Sequence, residues 1–173
     1  MRTARVGTGL DVHPFASTGA GTAGSDSTSR ALVLCGVGIA DGPPLVGHSD
    51  ADVGAHAVAD ALLGASALGD LGSVFGVDDP DVSGADSMGL LRRVVADVAA
   101  AGWAAGNVDL TLVAQRPRLA GYREAMRANL AAALHLDIEA VSVKFTTTDR
   151  LGTIGRGEGI AAWCSCLLVD DRG

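Results

Sequence analysis

Aromatic side chains are scarce in this sequence: two Trp, one Tyr and three Phe among 173 residues. Lysine is scarcer still, with Lys144 alone beside twelve Arg, and these cations are scattered through a chain whose 20 acidic residues leave a formal net charge of −7. Extended nucleic-acid binding relies on a basic face and on stacking aromatics, so it is disfavoured. Cysteine is limited to Cys35, Cys164 and Cys166, an odd number with no C-x-x-C pair. That argues against a disulfide framework and a Cys-rich zinc site, and it points to a reducing cytoplasm. The Ala-rich apolar stretches are broken by Gly or Asp before they reach the ~20 residues of a bilayer span. The N-terminus runs from Met1 into a Gly-rich motif without an apolar signal core, so neither membrane insertion nor a secretory signal is supported.

What is present is a globular balance, 48% hydrophobic and 19% charged, at a length that suits one domain over residues 1–173. Residues 16–30 are almost entirely small or polar and read as a flexible surface loop. Strand character flanks it at 5–10 and 31–35 and returns at 107–114, 141–145 and 160–169. Helical signals fall between these. One begins at Ser49, which can cap with Asp52 three residues on, and runs to about Leu68. Another starts near Asp86-Ser87 and spaces Leu90, Leu91, Val94, Val95 and Val98 helically up to Gly102. A third covers about 121–135. The expected class is an α+β or α/β sandwich, with about three helices over one sheet.

Chemistry concentrates in three places. Asp11-Val12-His13 puts a carboxylate and an imidazole at i and i+2 of a strand, on one face, with Cα atoms ~6–7 Å apart. His56, within the first helix, can complete a set of two imidazoles and one carboxylate that leaves a position open on zinc. Asp52 and Asp60 lie four residues either side of His56, so either is a candidate orienter of its ring. The third place is the run from Lys144 through Thr146, Thr147, Thr148 and Asp149 to Gly159. It holds hydroxyls, a carboxylate able to hold Mg²⁺, Arg side chains and close-spaced Gly, the materials of a diphosphate site. His135, at a helix end, reads as structural.

These clusters occur in one order with Gly9-Leu10-Asp11-Val12-His13-Pro14-Phe15, His48-Ser49-Asp50-Ala51-Asp52-Val53, Ala67-Leu68-Gly69-Asp70-Leu71-Gly72, Gly84-Ala85-Asp86-Ser87, Thr146-Thr147-Thr148 and Gly155-Arg156-Gly157-Glu158-Gly159. In this the chain resembles the 2-C-methyl-D-erythritol 2,4-cyclodiphosphate synthases, nearly end to end. The resemblance implies Asp11, His13 and His56 as zinc ligands and Asp149, where the family has Glu, as the holder of Mg²⁺ or Mn²⁺ on the substrate diphosphate. It implies His48 and Thr147 as the residues that hold the phosphates in the transition state. Ser49, Asp70 and Gly72 match contacts to the methylerythritol phosphate, and Ala114 to Arg118 with Thr146 and Thr147 match the cytidine and diphosphate pocket. Phe75, Asp79, Thr148, Thr153 and Arg156 fall at further substrate positions. The implied reaction is intramolecular: 4-diphosphocytidyl-2-C-methyl-D-erythritol 2-phosphate closes to the cyclic diphosphate and releases CMP. The implied assembly is a homotrimer of α+β subunits with mixed sheets around a threefold axis and active sites at subunit boundaries. Three departures stand out: Val77 replaces a usual acid, Thr153 a usual aromatic, and the 16–30 loop is longer than the family pattern. The same metal triad would also serve a zinc phosphoesterase that attacks with water, or a nucleotide-binding trimer without turnover.

Overall fold

The computed structural model describes residues 3–16, 31–47, 49–76 and 85–171. Its frame is a four-stranded mixed sheet in the order β1 (Ala4–Pro14), β6 (Gly159–Asp170), β4 (Trp103–Val113), β5 (Val141–Thr146). β6 runs antiparallel to both β1 and β4, whereas β4 and β5 are parallel. A parallel pair needs a crossover. The helix α4 (Arg123–Leu134) makes it, packing on β5 as it returns.

Of the two classes that spacing left open, the observed one is α+β with a mixed sheet, as the resemblance implied. The three expected helices are α1 (Val53–Ser66), α3 (Ser87–Ala100) and α4, and they cover one face of the sheet. Two short helices were not expected, α2 (Leu71–Phe75) and α5 (Gly152–Gly155). Both lie within stretches read as substrate contacts. The strand signal at 31–35 proves to be one arm of a separate hairpin, β2 (Leu32–Leu34) with β3 (Val37–Ile39). Its two turn residues, Cys35 and Gly36, both have positive φ, 51° and 70°, the conformation that matches the twist of a tight hairpin. The loop reading of residues 17–30 lies outside the described residues.

Expected boundaries shift where side chains choose other partners. Asp52, not Ser49, is the N-cap of α1, and its carboxylate accepts from Ala55 N at 3.0 Å. The same carboxylate accepts from Cys35 N and Gly36 N, both at 2.7 Å, so one wholly buried acid ties the helix start to the hairpin turn. Burial raises the Asp52 carboxyl above its usual range even against these three donors. Truncating the side chain would remove a cap, strand the buried Cys35 N–H and release that of Gly36, a cost of about 3 kcal/mol. α1 ends at Ser66, not Leu68, because Ala67 turns left-handed (φ 62°) and returns its N–H to Gly64 O.

α1 is apolar nearly all round, as a helix enclosed on several sides must be. Of its residues only His56, Asp60 and Gly64, each four apart, escape full burial and form one narrow stripe. On the sheet, Gly7 and Gly9 alternate with outward Val6, Thr8 and Leu10, and they face α1. A Cβ on Gly9 would collide with the Ala57 carbonyl, and one on Gly7 with that of Ala61. The alanines at 57, 61 and 65 supply the matching flat side of the helix, so strand and helix backbones pack at close range. The opposite face carries an uncovered apolar patch along β1 and β6, beside the polar residues of β4 and β5. Val6, Leu10, Val12 and Trp163 are 72%, 59%, 52% and 55% exposed, and Leu10 lies directly across from Trp163.

The inward row of β6 is Ile160, Ala162, Cys164, Cys166 and Leu168, all buried. Burial pushes the Cys166 thiol up to about 11 and Cys164 higher, so both stay neutral core groups. No described helix is long and apolar enough to cross a membrane.

The Gly9→Ala protein is expected to lose about 3 kcal/mol of stability, because the added methyl meets backbone that cannot rotate away. Its urea midpoint, compared with that of an outward-facing Thr8→Ala control, checks this: equal midpoints would contradict the close-packing account.

Candidate metal centre and active site

Asp11 and His13 continue along β1 on the face that carries Gly7 and Gly9, so the close approach of α1 delivers His56 to them. Asp11 Oδ2 lies 3.0 Å from His13 Nε2 and 2.9 Å from His56 Nδ1, and the two nitrogens are 3.4 Å apart. Three ligands of a tetrahedral zinc at bond lengths near 2.1 Å would stand roughly 3.4 Å from one another. The three donor atoms therefore already sit close to the edges of such a tetrahedron, and these residues are positioned to bind a metal ion. Two imidazoles and a carboxylate are also the donor set of an open, catalytic type of site rather than a closed structural one.

The protons are placed to suit this. The backbone oxygen of Val46, 2.7 Å from His13 Nδ1, can only accept, so Nδ1 carries the hydrogen and Nε2 offers its lone pair to the centre. Burial works against the Asp11 carboxylate, but hydrogen bonds and charge from the two imidazoles outweigh it and hold the group well below the usual carboxylate range. Burial likewise works against a charged His13, and the Asp11 hydrogen bond and charge overcome it, raising His13 above 6.5 in the metal-free protein.

Neither acid expected to orient His56 does so. Asp52 is occupied at the hairpin turn and helix start, and Asp60 Oδ1 accepts from Leu71 N at 2.9 Å, fixing the start of α2. Burial raises the Asp60 carboxyl. His56 Nε2 instead meets two hydroxyls, Ser87 Oγ at 2.9 Å and Ser49 Oγ at 3.1 Å. Ser87 had been read only as part of a helix start. Asp86 is the cap, accepting from Met88 N, which leaves the Ser87 side chain to turn inward.

The metal ligands open onto a cleft of about 220 Å³, also lined by Ser49, Asp60, Leu71, Gly72, Phe75, Gly76 and Leu90. A second cleft, of about 230 Å³, is lined by Ala114, Gln115, Pro117, Arg118, Thr146 and Thr147 among others. The expected site residues thus divide into two groups. β1 and β5 are the two edges of the sheet, three strand spacings or ~14 Å apart, yet Val12, Ala161, Val113 and Thr146 form one cross-strand row. Both clefts therefore open at the same end of the sheet, on opposite edges. Asp70, Thr148, Asp149, Thr153 and Arg156 line neither. Asp70 caps α2 in a reciprocal box with Ser73. Asp149 and Arg150 take positive φ, 50° and 67°, in the turn after β5, and Thr147 Oγ1 donates to Asp149 Oδ1 at 3.3 Å. Arg156 is paired with Glu158 at 2.6 Å on the surface. His48 and Asp79 lie outside the described residues.

The model of the YgbB family matches residues 4–169. The chain belongs to that family. It is 51% identical over 166 residues to the 2-C-methyl-D-erythritol 2,4-cyclodiphosphate synthase of Moorella thermoacetica, covering 96% of this chain and 95% of the relative. The synthase of the same name from Pseudomonas fluorescens is 50% identical over 165 residues, covering 95% and 98%. Among solved structures, one described as IspF (Plasmodium falciparum) CDP complex superposes with a TM-score of 0.80 at 28% identity, over 98% of this chain and 97% of that one. In this YgbB chain the mixed sheet, the three longer helices and the Asp/His/His cluster match the expectation from spacing and motifs.

Metal binding should be proton-linked with a defined sign. Because Asp11 raises His13 against its burial, protons compete with a metal ion for His13 Nε2 more strongly than for a free imidazole, and metal affinity should fall as the pH falls. Chelator competition between pH 5 and 8 measures it. His13→Ala and Asp11→Ala should each lose the bound zinc equivalent; a full equivalent in both would remove the ligand assignment.

Proposed function

We propose that the chain converts 4-diphosphocytidyl-2-C-methyl-D-erythritol 2-phosphate to 2-C-methyl-D-erythritol 2,4-cyclodiphosphate and CMP, as a cyclising phosphorus-oxygen lyase of isoprenoid biosynthesis. The observation that carries this is the Asp11, His13 and His56 cluster on an open cleft, within a chain that aligns end to end with synthases of that name.

An oxygen of the 2-phosphate bonds to the β-phosphorus while the bond from that phosphorus to the bridging oxygen breaks, and CMP departs with that oxygen. Atoms balance without water. The attacking group is already an anion, so no side-chain nucleophile is needed, and the protein must hold two mutually repelling phosphates in line. Zinc held by Asp11, His13 and His56 supplies a Lewis acid that neutralises phosphate charge. His48 and Thr147 hold the phosphates in the transition state, and Ser49, Asp70, Gly72 and Phe75 bound the methylerythritol end. The cleft from Ala114 to Arg118 with Thr146 takes the cytidine; that a cytidine nucleotide is the kind of ligand bound is supported by the CDP named in the Plasmodium falciparum structure. Asp149, on its left-handed turn beside Thr147, holds Mg²⁺ or Mn²⁺ against the diphosphate, with Thr148, Thr153, Arg156 and Asp79 as further contacts.

The two clefts lie on opposite edges of one sheet, and a symmetric assembly can set the β1 edge of one subunit beside the β5 edge of the next. The uncovered apolar face of Val6, Leu10, Val12 and Trp163 would supply the contact that closes a homotrimer around a threefold axis. The three described cysteines are free and buried, which suits the cytoplasm.

Incubation with the substrate, zinc and Mg²⁺ should yield CMP and the cyclic diphosphate in equal amounts, with no ¹⁸O from labelled solvent in either product. Solvent ¹⁸O in product phosphate would mean a hydrolase and sink the cyclase reading. Leu10→Glu combined with Trp163→Glu should shift the mass measured by light scattering from trimer to monomer and reduce turnover at least tenfold; an unchanged mass would contradict the proposed packing face.

A further inference from the structure

The hydrogen-bond partners of His56 on the side away from the metal cluster have directions that can be worked out. Asp50 meets donors alone: Asp52 N at 3.2 Å and the Ser87 hydroxyl on Oδ1, and Ser87 N at 3.3 Å on Oδ2. No contact asks that carboxylate for a proton. The Ser87 hydroxyl hydrogen is therefore committed to Asp50, and Ser87 Oγ can only accept from its other neighbours, His56 Nε2 at 2.9 Å and Ser49 Oγ at 3.1 Å. Two lone pairs would oppose each other across the shorter contact unless His56 Nε2 carries a hydrogen. With Nε2 protonated, Nδ1 is the atom that gives up its hydrogen bond to Asp11 and offers a lone pair when a metal binds, 2.9 Å from Asp11 and 3.4 Å from His13 Nε2. Ser87 is 1% exposed, so water does not compete for the bond. Ser49 Oγ, 3.1 Å from both Nε2 and Ser87 Oγ, already accepts from Ala51 N and closes the cluster on its other side.

We propose that Ser87, oriented by Asp50, is the positioning residue of the metal centre: it accepts the Nε2 hydrogen of His56, selects the tautomer that presents Nδ1 and holds the ring in the plane that β1 needs. The relay runs from the N-terminus of α3 through the segment before α1 into α1, so two helix starts set one ligand. The metal assignment of Asp11, His13 and His56 underlies it, and the two can fail separately.

Ser87→Ala should remain folded, with an unfolding temperature close to wild type, and bind zinc roughly 10- to 100-fold more weakly in chelator competition. Ser87→Thr, which keeps the hydroxyl, should restore affinity to within about threefold. In the zinc-loaded wild type, the His56 Nε2–H should appear as an exchange-protected imidazole cross-peak in a ¹H–¹⁵N spectrum, and it should vanish in Ser87→Ala and return in Ser87→Thr. That wild-type peak tests the proposal even if Ser87→Ala fails to fold. Zinc affinity within twofold of wild type in a folded Ser87→Ala protein, or a His56 Nε2–H that exchanges at the solvent rate in zinc-loaded wild type, would overturn the role of Ser87 while leaving the ligands in place. Failure of wild type to bind zinc would overturn the ligand reading and this one with it.

Discussion

The structure depends on the close approach of one strand and one helix. At Gly7 and Gly9 a side chain would enter the carbonyl oxygens of α1, so β1 and α1 meet at backbone distance. Everything at the metal centre follows from that spacing. Asp11 and His13 are short and medium side chains fixed to β1, and they can share a centre with His56 only if the helix lies nearly on the strand. The alanines at 57, 61 and 65 are the complement of those glycines. Their poverty in side-chain volume is what makes α1 enclosed on most sides and leaves His56, Asp60 and Gly64 as its single open stripe.

Around that contact, polar groups do structural work by direction rather than by number. Asp52 caps α1 and grips the hairpin turn through three N–H bonds. Asp60 starts α2, and Asp50 holds Ser87. Each acid has a backbone or hydroxyl donor, so a chain with net charge −7 can bury carboxylates without cationic partners. The same economy shapes the proposed site. Little positive charge comes from side chains near the first cleft, so the attraction for a polyanionic substrate falls to bound cations, and the protein's part is to hold their ligands in one protonation pattern.

Much of the fold was legible in the chain. Alternation over the second half of β4 and the helical spacing of α3 and α4 are local patterns that survive because each element buries one face, and the apolar run of β6 marks a strand without alternating. The elements that were missed have weaker local codes. The α2 and α5 helices are too short to show a period, and each exists because its first turn finds partners: Asp60 and the Asp70 box for α2, and Leu151 O for Gly155 N at the end of α5. The hairpin was half seen, since a three-residue strand carries almost no alternation. The assignment of Asp52 or Asp60 as orienter of His56 was geometrically sound for an isolated helix. It gave way because backbone N–H groups from Cys35, Gly36 and Leu71, distant in sequence, claimed those oxygens first.

Residue type and spacing alone determined that Asp11 and His13 share a face of a strand and that His56 stands on a helix. Packing alone showed that Gly7 and Gly9 let strand and helix meet. Only the tertiary structure decided which nitrogen of each imidazole faces the cluster, because that depends on Val46, Ser87 and Asp50 arriving from other parts of the chain. It alone decided that the expected substrate residues divide between two edges of one sheet. Sequence order places Ala114 and Thr146 without saying how many strands separate them from Asp11, and the hydrogen-bond ladder puts β6 and β4 between.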